Sequence, residues 1–220
     1  MKKNRHHPHC KKYKTSAVKR QCCCLRKIYC KPKITWFERM FKLIICAAEF
    51  LNISLYIREI IRDKYRKGII DLYVLLMSIV FPILVLVFGW QESLVVLIIT
   101  LYLLSTSLIY LLGIVFLDDV YRWPHSKKRS LLLVFANYMG ITLYFSILYQ
   151  YFNAVKDVCG KVISNLEAVY FSFVTSTTLG FGDYKPCNSI GQILVILQVC
   201  IFLLFIVVFF NHFINLKQKE

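Results

Sequence analysis

Charge is scarce in this chain, and negative charge is scarcer still. Only 18% of its 220 residues are charged, with 12 Asp and Glu against 28 Lys and Arg. A soluble domain carries about a quarter charged and about half apolar residues; here apolar residues reach 58% and aromatics 15%. They also lie in long uninterrupted blocks, which excludes a soluble globular fold and predicts an all-α membrane protein. No small-residue cleavage site precedes the first apolar block, so no cleavable signal peptide is expected. The blocks hold no His/Glu metal constellation and no paired carboxylates. Neither enzymatic chemistry nor a resident cofactor is therefore expected.

The net charge of +16 is unevenly spread. Fourteen of the 28 basic residues lie in residues 1–42, and five more between Arg58 and Lys67. A basic block ahead of apolar spans belongs in the cytoplasm by the positive-inside rule. Such a block suits membrane lipids, anionic ones in particular, at about 1 kcal/mol per basic residue. That reading is preferred to nucleic acid, and a plain solvated tail is the competing one.

Residues 1–33 are polar, basic and rich in Cys and His, and no packed structure is expected there. His6, His7, His9, Cys10, Cys22, Cys23, Cys24 and Cys30 fit no standard zinc spacing. An unmodified tail is the expectation, with palmitoylation as the alternative. Over residues 34–67, Trp36, Phe37, Met40, Phe41, Ile44, Ile45, Ala48, Leu51 and Leu55 recur at helical spacing, interrupted by charges. The longest run without a basic residue, 43–57, holds Glu49 and is too short to span. An amphipathic helix lying in the cytoplasmic interface is expected.

Four spans are predicted, at roughly 70–90, 94–117, 131–152 and 190–214. The first contains Pro82. The first two hold no Arg or Lys, so neither is a voltage sensor of the kind that needs Arg at three-residue spacing. The basic tail, the 118–130 loop and the C-terminus go inside, in what is expected to be the plasma membrane. The hairpin at 91–93 and the 153–189 segment go outside.

The 153–189 segment is too long for a simple connector. Leu166, Val169, Tyr170, Phe173 and Val174 mark a short apolar helix at 165–175, too short to span. Irregular backbone at membrane depth is tolerated only when buried in protein or lining water. A re-entrant element is therefore expected. It is followed by Thr175-Ser176-Thr177-Thr178-Leu179-Gly180-Phe181-Gly182-Asp183. That run resembles the pore loop of potassium channels: Thr-x-x-Thr, an aliphatic residue, Gly, an aromatic, Gly and Asp. The resemblance extends over residues 131–214 and includes the order span, short helix, loop, span.

The resemblance implies a selectivity filter at Thr178, Leu179, Gly180, Phe181 and Gly182. Carbonyls of the first four, with the Thr178 hydroxyl, would replace the hydration shell of K+, the permeant ion. Carbonyls that all point one way require alternating backbone conformations, which Gly180 and Gly182 adopt at little cost. Tyr170, Phe171, Val174, Thr175, Thr177 and Asp183 would support the filter, with Leu179 and Phe181 bracing from behind. Val174 stands where some members carry a Glu that pairs with the Asp after the filter, so Asp183 is expected to lack that partner. One loop per chain implies a homotetramer.

The implied organisation is a tail at 1–33, an interfacial helix at 34–67, two peripheral spans and a loop at 68–130, and a pore domain at 131–220. A potassium-selective channel without a voltage sensor is the leading function. A non-selective cation channel and a non-conducting accessory protein are the alternatives. Cys159 and Cys187 bracket the loop on the outer side: either a disulfide clamps the mouth, as in some inward-rectifier relatives, or both remain thiols. Gln192 and Gln198 on the last span mark either a water path or a helix contact. His212, near its inner end, is read as interfacial.

Overall fold

The computed structural model describes residues 17–30, 35–61, 65–117 and 127–217. Among the described residues helices dominate, and four are long and apolar enough to cross a membrane: Gly68–Phe88, Leu94–Ile114, Leu131–Tyr151 and Ser189–Phe210. These are the four expected spans. The chain divides into two compact units, residues 1–70 with 112–123 and residues 71–111 with 124–220.

In the first unit, α1 (Ala17–Cys30) corrects the expectation of an unpacked tail through residue 33. Cys24 and Ile28, one turn apart, give the helix a stripe to bury against Ile45, Cys46 and Leu117. The Gln21 side chain donates to the Cys46 carbonyl at 3.0 Å and to the Glu49 carboxylate. His6, His7, His9 and Cys10 lie outside the described residues. Among the described residues no group of three or more His, Cys, Asp or Glu is placed to hold a metal.

The expected single interfacial helix is broken in two. Helix α2 (Trp36–Ala48) is capped by Thr35 and runs into a 3₁₀ turn at Glu49–Leu51. Asn52 then takes an extended conformation, and its side chain accepts from the Ser54 amide to start α3 (Ile53–Ile60). Asn is among the best N-caps, and that local bond outcompetes helix continuation. Trp36, Phe37, Met40 and Ile44 on α2 stay exposed, as do Ile53, Tyr56 and Ile60 on α3.

The first span is α4 (Arg66–Leu75), a π-helical turn (Leu76–Val80) and α5 (Phe81–Phe88). Pro82 explains the irregularity. The Phe81 amide bonds back five residues to the Leu76 carbonyl. The next such bond would need an amide at Pro82, which has none. The Met77 carbonyl is left over, and the Tyr144 hydroxyl donates to it at 2.8 Å. In lipid such a carbonyl needs a protein donor.

Gly89, in the left-handed region at φ 72°, ends α5, and α6 (Leu94–Phe116) forms the second span. Helix α7 (Lys127–Tyr151) is the third. Its span is 72% buried against 22% for each of the others, so α7 is the core of this unit. It is followed by β1 (Val155–Asp157), α8 (Asn165–Ser176), β2 (Tyr184–Pro186) and α9 (Ser189–Lys217), the fourth span.

Close packing at Gly140 lets the π turn lie against α7. A Cβ on Gly140 would stand 2.6 Å from the Ser78 Cβ and 2.8 Å from the Ser78 carbonyl oxygen. Gly140→Ala should therefore destabilise this unit by about 1–3 kcal/mol through overpacking. Thermal unfolding in detergent measures it, and an unchanged midpoint would refute the close approach.

Candidate functional site

The site is built on α8. Ser164 and Glu167 form a reciprocal capping box: the Ser164 amide donates to the Glu167 carboxylate at 2.6 Å, and the Glu167 amide to the Ser164 hydroxyl at 3.4 Å. Bonds from the Ser164 backbone and side chain hold the Glu167 carboxyl below the usual glutamate range.

The C-terminal end of α8 shapes the loop. The Thr178 amide donates to the Thr175 carbonyl and the Leu179 amide to the Val174 carbonyl, both at 3.1 Å. With Thr177 as cap, these are the two bonds of a Schellman turn. That turn needs a left-handed residue just past the cap, usually Gly. Here the residue is Thr178, at φ 59°. A non-glycine residue in this region costs roughly 1–2 kcal/mol.

The loop continues with Gly180 at φ 56° and Gly182 at φ 83°, while Leu179 and Phe181 are not in the positive-φ region. Every second residue from 178 to 182 is thus left-handed. This alternation is what a row of carbonyls facing one way requires. A Cβ on Gly180 or Gly182 would meet nothing within 4 Å, so glycine is needed for backbone conformation rather than space. Leu179 and Phe181 are 62% and 67% exposed in the single chain; their own chain does not cover them.

The supporting residues divide. Phe171 and Val174 are buried, and Phe171 meets Tyr149 edge-on at 5.0 Å between centroids. The Thr177 hydroxyl returns to the Phe173 carbonyl at 2.9 Å. Thr175 contributes its carbonyl to the turn. Val174 brings no carboxyl to Asp183. The Asp183 carboxylate beside Tyr170 raises the Tyr170 pKa. Asp183 also accepts from the Tyr184 amide at 3.1 Å.

The Asp183 end of the loop is pinned by the β1–β2 ribbon, with Val155 opposite Pro186 and Asp157 opposite Tyr184. This register works against the Cys159–Cys187 bridge, and both cysteines are exposed thiols. The Cys187 amide bonds the Ala154 carbonyl at 2.9 Å and its thiol donates to the Asn153 carbonyl at 3.2 Å. Cys159 follows β1 at the opposite end of the ribbon. From Ala154 to Asp157 alone the strand advances roughly 10 Å, beyond the roughly 4.4–6.8 Å between Cα atoms that a disulfide accepts.

Residues that the pore-loop pattern does not include complete the site. Gln198 on α9 is buried. Its carbonyl oxygen accepts from the Tyr149 hydroxyl at 2.7 Å, and its amide nitrogen donates to the Ser172 carbonyl at 2.8 Å and hydroxyl at 2.9 Å. The Ser172 hydroxyl donates to the Thr142 carbonyl at 2.6 Å. Tyr138 reaches Ser176 at 3.0 Å and stacks on Phe205 at 4.2 Å. Gln198 is thus a contact joining α7, α8 and α9, whereas Gln192 is exposed. The signal in the sequence was polar residues one turn apart, Ser172 and Ser176, within an apolar helix. The side chain of His212 lies outside the described residues.

Gln198→Leu would leave the Ser172 carbonyl and the Tyr149 hydroxyl without this partner, at about 1–3 kcal/mol for a stranded buried group. Thermal unfolding of Gln198→Leu in detergent should show a loss of that size. A wild-type midpoint would mean the network does not hold the three helices together.

Residues 131–219, from the start of the third span through α9, match the family model described as an ion channel. Potassium channel subfamily K member 4 of Rattus norvegicus is 62% identical over 29 residues, 13% of this chain and 7% of that relative. Its namesake in Mus musculus gives the same figures. The match therefore spans a small part of those relatives' length. No solved structure matches the chain. The loop between α8 and β2 lies within the residues similar to the ion-channel family model, and the similarity to potassium channel subfamily K member 4 is confined to a 29-residue stretch.

Proposed function

We propose that four copies of this chain form a pore that conducts K+ passively and selectively. The observation that carries this reading is the alternation of left-handed residues at Thr178, Gly180 and Gly182. It favours turning the carbonyls of Thr178, Leu179, Gly180 and Phe181 to a common axis, where four chains would supply rings of oxygens matched to a dehydrated K+. The exposed Leu179 and Phe181 side chains would be covered by neighbouring copies in the ring. The C-terminal end of α8, with its partial negative charge, favours a cation below the filter. Passive conduction involves no covalent step.

Flux tests the reading. Purified protein in liposomes with K+ inside and Na+ outside should give a reversal potential that follows K+. Gly180→Asp, which puts a charged side chain where φ is 56°, should abolish the flux. Equal passage of both ions would favour the non-selective alternative. No flux from well-formed tetramers would favour the accessory one.

The exposed apolar faces of α2 and α3, next to the basic residues at 58–67, support a helix pair in the cytoplasmic interface, against anionic lipid. The plasma membrane, with both termini inside, is the setting that the charge distribution favours. With Trp90 and Trp123 changed to Phe, brominated lipid should quench Trp36 fluorescence. An impermeant maleimide should label Cys159 and Cys187 from outside and Cys22 only after the vesicles are opened. An unquenched, solvent-like Trp36, or Cys22 labelled from outside, would contradict this arrangement.

A further inference from the structure

The family match begins at residue 131 and assigns nothing to the first two spans. Among the described residues, three of the polar ties that join them to the pore module share one chemistry. The Tyr144 hydroxyl donates to the Met77 carbonyl at 2.8 Å. The Asn137 carboxamide donates to the Ser107 carbonyl at 3.2 Å. The Asn165 carboxamide donates to the Leu86 carbonyl at 2.7 Å. In each case a pore-module side chain binds a backbone oxygen of the span hairpin. A backbone acceptor has no rotamer freedom, so each tie fixes the position of a helix rather than of a flexible group.

The Asn165 tie has the most direct route to the filter. Asn165 is the first residue of α8. Leu86 lies in the last turn of α5, among the carbonyls that a helix cannot satisfy itself. The Asn165 carbonyl oxygen in turn accepts from the Gln91 side chain at 3.1 Å. One turn further along α8, Val169 packs on Val85, Leu86 and Ile147. The start of α8 is thus held by polar contacts at the hairpin turn and by apolar contacts beneath it. The other end of α8 sets the Schellman turn and the left-handed Thr178.

We infer that the hairpin of the first two spans is a bracket for the pore helix, and that Asn165 is the positioning residue through which it fixes the start of α8. The inference rests on the pore reading above for its consequence in conduction. Its structural content does not depend on conduction.

Asn165→Asp separates this role from helix formation. Asp at the first helical position favours the helix dipole and still accepts from Gln91, but it cannot donate to the Leu86 carbonyl. The bracket predicts that Asn165→Asp and Asn165→Ala both lower K+ flux about tenfold at equal tetramer content, with a reduced preference for K+ over Na+. It also predicts faster hydrogen exchange of the α8 amides in both variants. Gln91→Leu should give a smaller effect that disappears in the Asn165→Ala background. A helix-capping role alone would leave Asn165→Asp like the parent in both readouts and would overturn the bracket. A parent protein without flux would overturn the conduction reading instead, and the exchange measurement would still decide the bracket.

Discussion

Lipid offers no hydrogen bonds, so every backbone polar group at membrane depth needs a partner within the protein. The structure follows from how that demand is met. Where Pro82 removes a donor, Tyr144 supplies one to Met77. Where α5 ends, Asn165 serves the Leu86 carbonyl. Where α8 ends, the Thr178 and Leu179 amides turn back to Thr175 and Val174. Along the run from Thr178 to Phe181 the carbonyls stand in alternating backbone. In the proposed pore the missing partner of those oxygens is the permeant ion.

Gross architecture was legible because its signals are long. Four apolar blocks of about 20 residues predict four spans, and all four are helices of that length. The short helix before the loop was legible from its length and apolar spacing, and the loop from a run of residues whose backbone needs are unusual. Shorter-range features were less so. The interfacial segment reads as one helix because its apolar period continues through Asn52, yet a single cap bond at Ser54 breaks it. Residues 17–30 read as a polar tail because two buried apolar residues, Cys24 and Ile28, make too narrow a stripe to stand out among charges.

Tertiary pairings were the least legible part of the site. Val174 brings no acid to Asp183, and nothing in the residue pattern pointed to Tyr170 as the neighbour whose pKa the Asp183 carboxylate raises. Two outer cysteines suggested a clamp, but the register of a three-residue ribbon sends them to opposite ends. Gln198 was visible as a polar residue in an apolar span and Ser172 as one in an apolar helix, but nothing in the sequence paired them or pointed to Tyr149. Together these contacts describe α8 held on three sides, by α7, by α9 and by the hairpin of the first two spans. The loop itself stays largely exposed in the single chain. Rigidity behind the loop and exposure in front of it are what assembly around an axis would use.

The most direct test of the central claim is a single-particle structure of the assembled protein in KCl. Fourfold symmetry is predicted, with ion density on the axis level with the carbonyls of Thr178, Leu179, Gly180 and Phe181, weakened when KCl is replaced by NaCl. An assembly without that axis, or a loop whose carbonyls face away from it, would contradict the account.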